Sequence, residues 1–430
     1  MKKVLAMVLA FCLLFALCAV NASADDAKKY EGRRITVAHR YTGANADAVR
    51  AEFDKFEELT GCKIDVEVLA ADADEAESVL LIRAATGNLP DVFSTNVGAK
   101  LWELDPESNM YDLSGNDWLE NVNDGYLQIT SRNGATYGIP AADSTVAGVF
   151  YNKAIFEQLN LEIPKTWDEL LAICEILKSN GITPVEQIFG LANGRQFQFL
   201  MQYYYVQSED PEFAAKYTRN EVALHENAAY VRGVEKVYDL WEKGYINEDP
   251  LSTSVEVAVN DFMENKFGMV FRNTSWYTAV NQISPEAAAN LGFFPMPDVD
   301  PDNIGVTLWM PHAWVASQNS KNIDVVLDLF KFLTTQEAID AYTSVLTPTG
   351  AFLLKDVTVN CELSDVIREA QACAAASSAP AMEYTCNIKG SNMATILSMV
   401  GTGEYTPEQG IEEIEMDNAI DAQQKGLEGW

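Results

Sequence analysis

Basic residues are scarce in this chain: 30 Lys and Arg stand against 63 Asp and Glu in 430 residues, a formal net charge of −33. No Lys/Arg cluster interrupts that acidity. Such a surface repels a phosphate backbone, so nucleic acid is excluded as a partner. Histidine is scarcer still, with His39, His225 and His312 alone, and none sits in a local pattern with a nucleophile or metal ligand. G-x-S-x-G, H-E-x-x-H, P-loop and G-x-G-x-x-G motifs are all absent, which removes the common hydrolase, zinc-protease and nucleotide-binding signatures. Asp298, Asp300 and Asp302 start like a calcium loop, but Asn303 and Trp309 occupy its sixth and twelfth positions. A solvated acidic turn is the expectation there, with no metal site and no cofactor. A glycosidase needs only two carboxylates, and so many acids leave that alternative open.

Long apolar runs are also missing beyond Val20. Before it, Lys2-Lys3, the apolar stretch Val4–Val20 and Ala22-Ser23-Ala24 read as a secretory signal peptide over residues 1–24. The run approaches the length of a membrane span, but the small-x-small pattern and the switch to Asp25-Asp26 favour cleavage. A lipid anchor on Cys18 is the alternative, with Leu17 standing where lipidation favours a small residue. The mature chain is therefore expected outside the cytoplasm. It keeps Cys62, Cys174, Cys361, Cys373 and Cys386, an odd number with no zinc spacing. Buried or idle thiols are expected, with one disulfide among the last three as the alternative.

About 400 residues then remain, enough for two lobes with separate cores. The mature chain opens as strand, helix, strand, helix, strand. Arg34–Ala38 is the first strand; Val49, Phe53 and Phe56 recur at helical spacing before Gly61; Ile64, Val66 and Val68 alternate. A helix with Val79, Leu80 and Ile82 follows, then a short strand at Asp91–Phe93. That order defines an α/β domain with a largely parallel sheet. A second α/β region has strands at Gly148–Asn152, Gly268–Phe271 and Leu291–Phe294. Capping boxes are expected at Thr166/Glu169, Thr334/Glu337 and Thr406/Gln409, and a well-buried helix at Ile323–Leu333. Trp102, Trp167, Trp241 and Tyr203–Tyr205 lie in helical patterns and read as packing.

Several segments carry a resemblance. They are Ala85–Phe93 (ATGNLPDVF), Tyr137–Pro140 (YGIP), Tyr151–Lys153 (YNK), Pro164–Leu170 (PKTWDEL), Gly181–Pro184 (GITP) and Phe262–Met269 (FMENKFGM) leading to Ser275-Trp276. In this order the chain resembles family 1 extracellular solute-binding proteins of ABC sugar importers, the group of the maltodextrin-binding proteins. Arg272–Trp276 departs from it by lacking the glycine common just before the tryptophan. The resemblance implies an α/β fold of two lobes, periplasmic-binding-protein-like (type II), with a ligand cleft between them. The first lobe would comprise 30–145 plus 310–350 and the second 146–309 plus 351–430. Crossings would fall near Asp143–Gly148, Thr307–His312 and Thr349–Leu353, and closure about them would follow ligand binding. The implied partners are a sugar and the transmembrane subunits of an ABC permease, the protein acting as a monomer without catalysis. A polyamine or other small solute is the runner-up ligand, and a secreted carbohydrate-active enzyme the rival class.

A sugar site needs flat aromatic platforms and fixed polar partners. Trp276 matches the family's cleft tryptophan. Trp309 lies near the second crossing, where core and cleft roles are balanced. Asp143 follows the Tyr-Gly-Ile-Pro segment and is either a hydroxyl acceptor or a loop acid. Arg40, Tyr41 and Asn96 leave strands at their C-terminal ends, where open α/β sheets place ligands.

Overall fold

The structure is a computed structural model that describes residues 28–430 except 71 and 72. The leader read at residues 1–24 and its Cys18 lie outside the described residues. Strand β1 (Arg34–His39) buries Ile35 and Val37 and exposes Arg34 and Thr36, the period of two of a strand covered on one face. The helix Gly43–Thr60 turns Val49, Phe53 and Phe56 inward and ends at Gly61, whose φ of 76° lets its N–H reach the Glu57 carbonyl. β2 (Lys63–Val68) and β3 (Val92–Thr95) then pair with β1 on either side, both parallel to it. The helix between them, Ala73–Thr86, buries Leu80 but exposes 66 % of Ile82, so the expected inward stripe is narrower than its run of aliphatic residues.

A hairpin of β4 (Ser131–Arg132) and β5 (Ala135–Thr136) precedes β6 (Ile139–Pro140) on the edge of the first sheet. After residues 141–144 the chain enters β7 (Thr145–Asn152), the centre of a second sheet. β8 (Thr183–Val185) and β9 (Phe267–Asn273) lie on one side of β7. On the other, β10 (Leu291–Phe294) pairs with its far half and β11 (Val306–Trp309) with its first half. Residues 310–312 lead back to β12 (Ala313–Ala316), which slots antiparallel between β3 and β6. β13 (Ser378–Pro380) finally extends the second sheet beside β11. The strand orders are β2-β1-β3-β12-β6 and β13-β11-β7-β9-β8.

Two lobes result, each with its own core. The first core draws on residues between Tyr30 and Ala141 and between Ala313 and Phe352, with Leu353, Leu354, Val357 and Val359 packed against it. The second sheet is covered on its faces by separate apolar clusters, one around Trp167 and Leu170, the other around Phe150 and Trp276. A helical cluster built on Ala228–Glu242, Met393–Gly401 and Pro407–Gln424 completes that lobe.

The Thr406/Gln409 box forms in both directions, at 3.3 and 3.0 Å. Thr166 caps the Glu169 N–H, but the Glu169 carboxylate takes the Lys165 N–H instead of closing on Thr166. The box expected at Thr334 does not form: its hydroxyl donates backward to the Lys331 carbonyl, and the next helix starts at Gln336. All five described cysteines are free thiols, so the disulfide alternative is not realised.

Asp298 overturns the solvated-turn expectation. It is 1 % exposed and lies 2.8 Å from Lys236 Nζ and 2.7 Å from Arg232 Nη2, while Asp300 and Asp302 stay in solvent. Lys236 is itself buried, between the rings of Trp167 and Tyr205 at 5.2 and 5.3 Å, and it also donates to Gln202 Oε1 and the Pro297 carbonyl. Removing one member of such a pair leaves an uncompensated buried charge, at a cost of about 3–5 kcal/mol. Asp298→Ala should therefore lower the free energy of urea unfolding by an amount in that range, and the midpoint with it. Asp300→Ala should leave it unchanged, and equal midpoints for the two variants would refute the structural role of Asp298.

Candidate functional site

The crossings between the lobes meet at Asp143. Its Oδ2 accepts the backbone N–H groups of Thr349 at 2.7 Å and Gly350 at 2.9 Å, and its Oδ1 accepts the Tyr342 hydroxyl at 3.3 Å. Ser144 donates both its N–H and its hydroxyl to the Ala351 carbonyl, at 2.9 and 3.0 Å. Gly350 must be glycine here, because a Cβ would lie 2.0 Å from the Ser144 carbonyl oxygen. Burial pushes the Asp143 carboxyl above its ordinary range, and the N–H groups of Thr349 and Gly350 work against that shift. The middle crossing is tied alongside by the Ala141 N–H, which donates to the His312 carbonyl at 2.9 Å. Both Asp143 oxygens thus serve the hinge, and a loop acid proves to be a latch.

The first-lobe wall forms where β1 ends. His39 closes the strand, Arg40 and Tyr41 leave it, and His312 approaches from the start of β12. The Tyr41 and His312 rings lie 5.4 Å apart at 31°, with Trp314 behind them at 6.2 Å from Tyr41. Arg40 Nη2 donates to His312 Nε2 at 2.7 Å, which puts the imidazole proton on Nδ1. That Nδ1 and the Tyr41 hydroxyl are buried without a hydrogen-bond partner among the described residues. Burial, with Arg40 adding to it, pulls His312 down to about 3, and burial pulls His39 down to about 4. Asn96 is directed inward instead: its N–H and its Nδ2 both donate to Glu77 Oε1 at 3.0 Å.

The second-lobe wall forms at the hinge ends of β11 and β9. Trp309, half-buried as the last residue of β11, meets the Phe197 ring at 5.8 Å and 57°. The Arg272 guanidinium lies over the Phe197 ring, 4.5 Å from its centroid. Arg272 Nε and Nη1 and the neighbouring Gln196 Oε1 are buried without partners among the described residues. Trp276 is 0 % exposed and packs in the apolar cluster with Val146, Phe150 and Ile188, although its indole N–H has no partner. Its ring is core, and only that N–H remains for polar recognition.

Away from the hinge the lobes touch again. Tyr384 packs against both the first core and the helical cluster of the second lobe. Gly98 allows this: its φ is 69°, and a Cβ there would lie 2.7 Å from the Tyr384 Cα. Lys425 and Glu103 form an ion pair across the same seam at 3.0 Å.

Of the residues singled out in the sequence, Arg40, Tyr41 and Trp309 border the crossings, Asp143 is spent on the hinge, and Asn96 and Trp276 are turned into the protein. Sequence reading missed His312, Arg272, Gln196, Phe197 and Tyr384. One signal was available. Arg272 is a lone charge at the end of the apolar strand Phe267–Phe271, and charged residues are almost never fully buried without a reason. Nothing local marks Tyr384 or Gln196.

A pair of α/β lobes joined by three crossings, with polar groups and an aromatic pair gathered at the join, is the architecture of a solute-binding protein. The model of the bacterial extracellular solute-binding protein family matches residues 42–340, and the chain belongs to that family. It is 25 % identical over 342 residues to a multiple sugar-binding protein of Streptococcus mutans, covering 76 % of this chain and 77 % of that one. It is 22 % identical over 323 residues to the melibiose/raffinose/stachyose-binding protein of Bacillus subtilis, with 70 % of each chain covered. Among solved structures, a chitin oligosaccharide binding protein superposes with a TM-score of 0.75 at 20 % identity, over 91 % of this chain and 99 % of that one. A binding protein in complex with raffinose gives 0.73 at 19 %, over 90 % and 99 %. The two-lobe fold expected from the resemblance is therefore the fold of this protein. No described helix is long and apolar enough to cross a membrane.

His39 and His312 are neutral in the folded state and take up protons near pH 6.5 once unfolded. Their contribution to stability is full above about pH 6.5 and is lost as the pH falls toward 4, at about 1.4 kcal/mol per histidine per pH unit. The gap in melting temperature between the wild type and a His39→Gln/His312→Gln variant should shift steadily against the wild type from pH 7 to pH 5. A pH-independent gap would show that the imidazoles titrate normally. At the seam, Gly98→Ala should cost more than Gly115→Ala, a glycine with a similar φ of 84° and open space around it. The excess reports the Tyr384 clash, of order 1–3 kcal/mol by thermal unfolding, and equal costs would mean that the seam is not packed at that point.

Proposed function

We propose that the protein captures a carbohydrate between its lobes and presents it to the transmembrane subunits of an ABC importer, acting as a monomer by differential affinity rather than by turnover. The observation that carries this reading is that partnerless buried polar groups gather at the join of the lobes, Tyr41 and His312 in the first lobe and Gln196 and Arg272 beside the Trp309–Phe197 aromatic pair in the second. Sugars combine apolar C–H faces with a rim of hydroxyls, so they call for a flat platform beside fixed donors and acceptors. Trp309 is the stacking surface in this proposal, Arg40 and Tyr41 reach in from the first lobe, and the Trp276 N–H and Asn96 lie at the edge. The sugars for which the curated relatives are named support the same substrate class. The lobes would divide within residues 141–144, 310–312 and 344–364, and they would close about Asp143 when ligand bridges both walls.

A polyamine fits less well. It needs open carboxylates, whereas Asp143 in the first crossing and Glu77 on helix Ala73–Thr86 already accept backbone N–H groups, and the partnerless groups include the donors Arg272 Nε and Nη1 and Trp276 Nε1. A thermal-shift screen against mono-, di- and oligosaccharides, polyamines and amino acids is the direct test. A ligand at a hundred times its dissociation constant adds about 2.7 kcal/mol to stability. We expect a saccharide to give that shift, to compact the protein by small-angle scattering and to be recovered chemically intact. Trp309→Ala should abolish the shift with an unchanged far-UV spectrum. If polyamines or amino acids stabilise the protein and no saccharide does, the carbohydrate assignment is wrong; recovery of cleaved sugar would make the protein an enzyme.

A further inference from the structure

We infer that the bound saccharide is acidic: its carboxylate is held by Arg272, so the ligand class is a uronic-acid sugar rather than a neutral one. This rests on the carbohydrate reading above and adds to it the charge of the ligand. Arg272 is 6 % exposed, its Nε and Nη1 have no hydrogen-bond partner, and no Asp or Glu forms an ion pair with it among the described residues. The same lobe shows how this fold treats a buried cation that serves stability. Lys236, 3 % exposed, has Asp298 at 2.8 Å and two further oxygen partners. Arg272 has only the face of Phe197, a contact that offsets part of the cost of burying a charge but supplies no counter-ion.

Arg272 sits close to the join of the lobes. Arg272 pairs with Gly148 near the hinge end of β9, and the next residue, Asn273, donates to Thr145 at the first position of β7. Gly194 lies beside the guanidinium, where a Cβ would be in ordinary contact with Nη1 at 3.5 Å but only 2.1 Å from the Ile188 carbonyl oxygen. The Gln196 Oε1 and the Trp276 N–H, both buried and unpartnered, supply an acceptor and a donor from the segments flanking Arg272. Burial lowers the guanidinium to about 10, with no acid acting against the shift, and it remains charged at neutral pH. A planar guanidinium whose N–H groups are left without acceptors among the described residues can bind a carboxylate. A single fork inside a protein of net charge −33 suits one negative charge better than a polyanion.

The test is calorimetric titration of the mature protein with galacturonate and glucuronate oligosaccharides, their neutral galactose and glucose counterparts, and succinate as a carboxylate that is not a sugar. We expect the acidic series to bind roughly thirtyfold more tightly than the neutral one, the size of a hydrogen bond to a charged group. Arg272→Gln should erase that difference, bringing the acidic series down to the affinity of the neutral one measured on the same variant. In the ligand-free protein, Arg272→Met should raise the melting temperature, because it removes an uncompensated buried charge; a purely structural arginine would give a fall. Binding of neutral sugars at least as tight as that of acidic ones overturns this inference and leaves the carbohydrate reading standing. Binding of succinate with no saccharide in either series overturns the carbohydrate reading instead. Absence of binding by the acidic series overturns the inference outright.

Discussion

Two of the three chain crossings are held together by one carboxylate, and the third is tied beside them by the Ala141 N–H on the His312 carbonyl. Asp143 gathers the backbone of Thr349 and Gly350 and the hydroxyl of Tyr342 onto the first crossing, and Ser144 extends the contact by bonding twice to Ala351. The rest of the architecture depends on this knot. β7 starts at the residue after Ser144, so the latch sets the register at which the second sheet begins. Tyr342 lies in the last turn of the helix Gln336–Thr343, which packs on Gly43–Thr60, so the same carboxylate is anchored in the first core. A hinge built of hydrogen bonds to backbone can rotate while its bonds persist, which a hinge built of packed side chains does less readily.

The second lobe displays two treatments of buried charge. Lys236 and Asp298 neutralise one another inside the second lobe and hold helix Ala228–Glu242 to the loop after β10. Arg272, on the wall facing the crossings, has no such partner, and the first-lobe wall adds a neutral His312 beside Arg40. Charge paired within the lobe serves stability, and charge left unpaired at the join is available to bind. The division is local, because the protein as a whole is strongly acidic and its overall field would repel the ligand that Arg272 is suited to hold.

Much of the fold was legible wherever burial follows a simple period. Val49, Phe53 and Phe56 lie at helical spacing and are fully buried, Gly61 closes their helix as a left-handed cap, and Ile323–Leu333 forms over the expected span. Local grammar failed where two neighbouring signals compete. Thr334 turns its hydroxyl back to Lys331 and leaves the following helix uncapped by a side chain. Asp298 looked like the first residue of an exposed acidic run, because the two cations that bury it come from 62 and 66 residues earlier. The site was the least legible part. Arg40, Tyr41 and Trp309 could be placed from strand ends, but Trp276 faces an apolar cluster that no spacing announces.

The amino-acid sequence by itself determined the class of fold, the order of strands and helices and the family, because periodicity, caps and short motifs are local and survive without neighbours. Only the tertiary structure decided what each polar residue is for. Asp143 became a latch when Thr349 and Gly350 were brought to it across more than two hundred positions of chain. Arg272 became the candidate anchor because no acid among the described residues was brought to it. Whether a charge is paired is a property of the three-dimensional neighbourhood, and one chain read in order does not contain it.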